Sequence, residues 1–178
     1  MTLRDLEKGK SGIVVAVAGE GALRQHFLDM GVIPIVNEND TIATNEIEIG
    51  DNDTLSAMVA SMVGADLLIL LSDIEGLYTD DPNRNPDAKF IKEVPKITEE
   101  YLEMGKDSTG TGMGTGGMST KLNAARIATR SGADMVICSS KDLTILSRII
   151  AGEDVGTAFA ADKDDEFKLQ EFVSEILK

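Results

Sequence analysis

The apolar positions of this chain fall into two kinds of run. Gly12–Ala18, Val32–Val36, Asp66–Leu71, Met135–Cys138 and Val155–Phe159 are short and rich in β-branched residues or leucine, which predicts strands. Ala22–Met30, Thr54–Val63, Thr98–Met104, Met118–Ser131 and Asp142–Ala151 instead space their apolar residues three to four apart, which predicts helices. Leu23, Phe27 and Met30 mark the first of these, and Leu122, Ala125 and Ile127 share one side of the fourth. Gly19, Gly21 and Gly31 break the runs near the start; Thr41–Ile49 alternates loosely, as a small β excursion would, and Phe90–Val94 reads as a short edge strand. Repeated βα order, with the apolar run of Asp66–Leu71 expected to be the most buried strand, predicts an α/β fold. The expected architecture is a three-layer sandwich with a mainly parallel sheet covered on both faces. At the far end an acidic linker, Asp162–Glu166, precedes Phe167–Leu177. That stretch repeats apolar residues at Leu169, Phe172, Val173, Ile176 and Leu177, an amphipathic helix that must cover a sheet face or a partner subunit.

Composition narrows the function. With 178 residues, 42% hydrophobic and 27% charged, the chain reads as one globular unit with a sizeable core. A net charge of -14 argues against nucleic acid and anionic membranes as partners, so any phosphate must be caught locally by amides, Mg²⁺ and a few lysines. No signal peptide or long apolar span is evident, and a cytoplasmic location is expected. The single cysteine, Cys138, is expected to be buried in its strand, and the single histidine, His26, to be a helix residue and not a ligand. No metal-ligand cluster stands out, and the acidic stretch at Gly50–Asp53 lacks the later ligands of an EF-hand.

The chemistry concentrates in Ser108–Lys121, STGTGMGTGGMSTK, which holds five glycines and runs into a helix. Dense glycine lets backbone N–H groups approach an anion, and the following helix points its positive end at the same place, an arrangement suited to polyphosphate. It is not a P-loop, because Thr120 and Lys121 come three and four residues after Gly117; Gly112, Gly114 and Gly117 satisfy G-x-G-x-x-G, but no strand leads into them. A flexible linker is the competing reading of the same glycines. Two further polar sets stand out. Asn37, Glu38, Asn39 and Asp40 follow the second strand, where ligands gather in open α/β sheets. Gly50-Asp51-Asn52-Asp53 precedes a helix, and its two carboxylates flanking an amide suit a lysine or an ammonium group. An Asx-rich turn and helix capping by Asp53 explain those residues equally well.

From about Gly31 to Phe159 the chain resembles the carboxy-terminal half of the kinase domain of the glutamate 5-kinases, in the amino acid kinase family. The resemblance is carried by GVIPIVNENDTIAT, GDNDTLSAMVA, LLILLSDIEGLYTDDPNRNPDAKFI, GTGGMSTKLNAARIA and GEDVGTAF, in order and with their spacing kept. It implies that Asp40 and Asn52 contact the substrate L-glutamate and that Asp53 orients catalytic lysines. It also implies that Ser72 and Asp73 contact the nucleotide, and that Thr115, Gly116, Gly117, Met118, Ser119, Thr120 and Lys121 form the ATP-binding segment. Lys121 would neutralise the transferring phosphoryl group. The implied reaction moves the γ-phosphoryl of MgATP to the side-chain carboxylate of glutamate, as in proline biosynthesis, with ATP and Mg²⁺ as cofactors.

Residues 1–34 resemble instead the start of a FeoA-type domain, a small SH3-like barrel associated with ferrous-iron transport, through TLRDLEKGKSGIVV and GEGALRQHFLDMGVIP. The lysine- and glycine-bearing phosphate loop that opens the kinase family is not matched there. The expected organisation is therefore a chimera forming one globular unit. Its parts are a FeoA-like βα segment at 1–34, an amino acid kinase-like nucleotide-binding half at 31–160, and an acidic linker and helix at 161–178. The expected function is nucleotide binding with weak or no turnover, in a homo-oligomer. The alternatives are a half-enzyme completed by another chain, or a structural chimera that binds no ATP.

Overall fold

The computed structural model describes residue 36, residues 51–82, residues 84–107 and residues 117–176. The expected strands Gly12–Ala18 and, but for Val36, Val32–Val36, the helix Ala22–Met30 with His26, the Thr41–Ile49 excursion and the whole FeoA-like βα segment lie outside the described residues.

Two αβ units form the centre. In the first, α1 (Asn52–Val63) ends at Gly64, whose φ of 61° and ψ of 46° are left-handed, and the chain enters β1 (Leu67–Ser72) almost at once. In the second, α3 (Met118–Ser131) ends at Gly132, with φ 97°, and leads into β5 (Asp134–Ser139). Both ends carry the same paired bonds: Gly64 N to Ser61 O at 3.2 Å and Ala65 N to Ala60 O at 2.9 Å, then Gly132 N and Ala133 N to Thr129 O and Ala128 O, each at 3.0 Å. Glycine satisfies the last carbonyls and reverses the chain, a Schellman termination. So short a link makes each helix run back along its own strand.

β1 and β5 pair in parallel with Leu67 opposite Asp134 and Ser72 opposite Ser139. β5 pairs antiparallel with β6 (Thr157–Phe159), which pairs in parallel with β4 (Glu93–Val94). The sheet therefore runs β1-β5-β6-β4 and is mostly parallel, as expected of an α/β fold. A separate hairpin pairs β2 (Leu77–Tyr78) with β3 (Phe90–Ile91). The core lies between α3 and the sheet, where Leu122, Ile127, Met135, Ile137 and Phe159 are fully buried. Leu122, Ala125 and Ile127 all point inward, as their spacing predicts. Cys138 is buried in β5, and burial raises its thiol pKa.

Several expectations need correction. The strand buried throughout its middle is β5 and not β1, because β1 has one neighbour among the described strands and leaves Leu67 and Leu71 38% and 39% exposed. Phe90–Val94 is two short strands, since Lys92 falls between the hairpin partner β3 and the sheet strand β4. The helix expected over Asp142–Ala151 is α4 (Ile145–Ile150). The Asp142 carboxylate accepts from Thr144 N at 2.9 Å and Thr144 Oγ1 at 2.8 Å, folding 142–144 into an Asx turn. β6 starts two residues late because Gly156, at φ 71°, is outside strand geometry.

The acidic stretch after β6 is bound and not free. Asp162 N and Asp164 N donate to Thr129 O and Arg130 O at the carboxyl end of α3, each at 3.0 Å. The Arg130 guanidinium pairs with Asp164, which together with the Glu166 amide holds that carboxyl below its usual range. α5 (Leu169–Ile176) then buries Phe172 against α3, with Arg126 4.7 Å from the Phe172 ring centre and Arg130 4.9 Å from that of Phe167. The amphipathic helix expected to cover a sheet face or a partner subunit packs instead on α3. The remaining helix, α2 (Glu99–Asp107), packs on α3 near its start, where a Cβ on Gly105 would come within 2.6 Å of Leu122 Cδ1.

Candidate functional site

The parallel course of β1 and β5, each preceded by a helix running the other way, brings the amino ends of α1 and α3 and the carboxyl ends of both strands to one edge of the sheet. Side-chain bonds confirm the alignment of the helices. Asp53 at the start of α1 meets Thr120 and Lys121 at the start of α3, and Ser61 Oγ meets Ser131 Oγ at 2.7 Å near their ends. Two positive helix ends therefore face the same solvent space.

The two ends are finished differently. Asp51 caps α1, its carboxylate accepting from Thr54 N at 2.6 Å and from Thr54 Oγ1 at 2.9 Å, and Asp53 lies in the first turn. α3 begins at Gly117, with no side-chain cap and no acidic residue in its first turn. Its leading N–H groups have no partner within their own helix and are the natural donors to an anion.

Lys121 projects from that first turn and is 7% exposed. A lysine so buried requires a partner, and Asp53 Oδ2 supplies it at 2.9 Å. The Thr120 hydroxyl lies 2.9 Å from the same Oδ2 and 2.8 Å from the Gly117 carbonyl, and its one proton serves one of them at a time. Asp53 therefore fixes the ammonium and ties the two helix starts together. An ammonium carries three donors, so Lys121 keeps donors for a further acceptor.

Across the same edge, β1 ends at Ser72 and Asp73. Ser72 is buried, donates its hydroxyl to Asp73 Oδ1 at 3.0 Å and accepts from Ser140 N through its carbonyl at 2.7 Å, while Asp73 is exposed. The turn that follows leads through the buried Gly76 into the β2–β3 hairpin, where Tyr78 meets Phe90 edge-on at 5.1 Å.

Of the residues singled out in the sequence, Asn52, Asp53, Gly117, Met118, Ser119, Thr120, Lys121, Ser72 and Asp73 all fall on this edge. Asn52 is exposed in the first turn of α1. Asp40, Thr115 and Gly116, with most of the glycine loop, lie outside the described residues. The cap of α1 is Asp51 and not Asp53; the helix starts two residues earlier than its apolar spacing indicates, because Asn52 and Asp53 are polar members of its first turn. The sequence reading missed Asp51 as a cap, although D-x-x-T before an apolar run is a recognisable start signal. It also missed Thr157, for which a lone threonine in an apolar strand gives little signal.

No three His, Cys, Asp or Glu residues gather into a metal site among the described residues. No described helix is long and apolar enough to cross a membrane.

The model of the amino acid kinase family matches residues 6–139. Glutamate 5-kinase from Carboxydothermus hydrogenoformans is 54% identical over 148 residues, 83% of this chain and 39% of that protein. The Proteus mirabilis glutamate 5-kinase is 54% identical over 75% of this chain and 36% of its own length. The chain thus spans somewhat under two fifths of these curated relatives. Among solved structures, UMP kinase from Bacillus anthracis superposes with a TM-score of 0.51 at 22% identity, over 77% of this chain and 49% of that one, a likeness of fold.

Proposed function

This chain belongs to the amino acid kinase family, and we propose that it is the nucleotide-binding half of a phosphotransferase of the glutamate 5-kinase kind. The observation that carries the reading is the buried Lys121, held by Asp53 at the uncapped start of α3. Phosphoryl transfer between two anions requires their repulsion cancelled and the attacking oxygen held in line, and needs little covalent chemistry from the protein.

In this reading the first amides of α3, following the Thr115–Gly117 backbone, donate to the polyphosphate of ATP. Lys121 neutralises the transferring γ-phosphoryl, and Asp53 keeps its ammonium in place. Ser72 and Asp73 contact the nucleotide, and Asp40 and Asn52 hold L-glutamate. A glutamate side-chain carboxylate oxygen forms a new bond to the γ-phosphorus as the bond to the ADP oxygen breaks; the attacking group is already ionised, so no base is required. Mg²⁺ would arrive on the nucleotide and neutralise phosphate charge, with Asp53 and Asp73 the carboxylates on this edge.

Turnover by this chain alone is proposed to be weak or nil, a reading supported by the resemblance of residues 1–34 to a FeoA-type segment. The family match reaches back to residue 6, which favours as a second reading a working contribution from that stretch. Calorimetric titration of MgATP into the protein tests the proposal. Saturable binding is expected, with affinity reduced about 10- to 10²-fold in Lys121→Ala, since a hydrogen bond to a charged group contributes about 1.5–3 kcal/mol. Heat equal to dilution for the unaltered protein would sink the proposal. Glutamate-dependent ADP release then separates binding alone from catalysis.

A further inference from the structure

Thr157 opens β6 and is completely buried. A hydroxyl is tolerated at such a place only when its polar atoms are matched. Its Oγ1 accepts from Leu77 N at 2.8 Å and donates to Ile91 O at 2.6 Å. Leu77 and Ile91 stand opposite each other in the β2–β3 hairpin, so one hydroxyl bridges the two strands at the hairpin's root. Among the described residues neither β2 nor β3 joins the ladder β1-β5-β6-β4, and the Thr157 hydroxyl ties the hairpin to it.

The backbone on both sides is shaped around this contact. Gly76 has φ 156°, and a Cβ there would stand 2.4 Å from Thr157 Oγ1 and 2.9 Å from Phe90 Cε2. Gly156 has φ 71°, and a Cβ there would stand 2.2 Å from Ile137 O. Glycine is thus required at Gly76 to bring the turn onto the hydroxyl, and at Gly156 to press the hydroxyl's own strand onto β5.

We propose that Thr157 is a positioning residue for the nucleotide. The segment carrying Asp73 is fixed at its start where Ser72 O accepts from Ser140 N, and at its end where Leu77 N donates to Thr157. Three residues and Gly76 lie between those two points. Removing the second leaves the far end of that segment resting only on the packing of the buried Leu77 and its pairing with Ile91, so the hold on Asp73 loosens at the edge where ATP is proposed to bind. The inference rests on the proposed contact of Ser72 and Asp73 with nucleotide.

Thr157→Val keeps the shape and deletes both hydrogen bonds, whereas Thr157→Ser keeps the hydroxyl. Each is titrated with MgATP well below its melting temperature, alongside amide exchange. Thr157→Val is expected to bind MgATP about tenfold more weakly, the effect of about one buried hydrogen bond, with faster exchange at Leu77. Thr157→Ser is expected to stay within about twofold of the unaltered protein, because its hydroxyl still bridges the pair. A folded Thr157→Val with unchanged MgATP affinity would overturn the proposal even if its melting temperature falls, since that is what a purely structural threonine gives. If Thr157→Val does not fold, Gly76→Ala displaces the same contact from the other side, and unchanged affinity there overturns it equally. Absence of MgATP binding by the unaltered protein is a separate result, which sinks the kinase reading and this role together.

Discussion

Residues 51–72 and residues 117–139 follow the same course: a helix, a left-handed glycine, a short link and a strand, with the two strands paired in parallel. Their carboxyl ends are finished by the same Schellman bonds. Their amino ends differ. α1 is closed by its own chain, with Asp51 on its amides and Asp53 in its first turn; α3 starts on a glycine with no side-chain cap on its amides. The helix N-terminus has four orphan N–H groups whichever sequence forms it, and a carboxylate of the chain and a phosphate of a ligand are alternative answers to the same need. The unit that satisfies itself contributes a carboxylate that holds a lysine, and the unit left open presents that lysine.

The sharpest way to break this contrast is to give α3 the cap that α1 has. Gly117 has φ −77° and ψ −176°, a backbone any residue adopts, so Gly117→Asp fits the chain. The helix should gain a few tenths of a kcal/mol from its cap. MgATP should bind at least about tenfold more weakly, because a carboxylate then occupies the amides and repels phosphate. Calorimetry beside a thermal melt reads both signs, and unchanged affinity would mean that the amides of α3 are not where phosphate sits.

The likeness at the other end can be sharpened next. Gly64→Ala meets open space and suffers only the left-handed backbone, a cost of about 1 kcal/mol. Gly132→Ala has the larger φ of 97°, and its Cβ would meet Lys163 Cδ at 3.3 Å, so it should destabilise more, by about 2 kcal/mol. Denaturant melts of the two variants give the order, and equal losses would show that the chain around Lys163 yields freely. The smallest effect is expected from Asp51→Ala. Loss of the cap should cost about 1 kcal/mol or less with MgATP affinity nearly kept, because Asp53 and not Asp51 holds Lys121. A large fall in affinity would assign Asp51 to the site.

Much of this was legible in the chain. The spacing of Leu122, Ala125 and Ile127 located α3 at its observed bounds, since a helix buried along most of its circumference has to repeat apolar residues closely. Gly117–Lys121 stood out because dense glycine running into a helix with a lysine suits an anion, and the structure sets that lysine on Asp53 at the start of α3. What escaped were properties set by neighbours. Leu67 and Leu71 read as core, yet their exposure depends on which strand lies beside β1. The start of α4 was fixed by one side chain, Asp142, folding back on Thr144. Asp162 and Asp164 read as a solvated linker, although their amides answer the last carbonyls of α3, a need that belongs to the helix and not to the acidic stretch. Thr157 was invisible because its partners are Leu77 and Ile91, far away along the chain.

One thiol in the middle of this arrangement has a practical meaning. Cys138 is the only cysteine of the chain, fully enclosed in the strand that links both halves of the sheet, with its sulfur 3.9 Å from the Leu70 carbonyl of β1. A labelling reagent reaches it only when the packing around β5 opens, and the raised thiol pKa slows labelling further at neutral pH. The rate at which that sulfur is consumed therefore times the opening of the core around β5, a stopwatch already installed where the two αβ units meet.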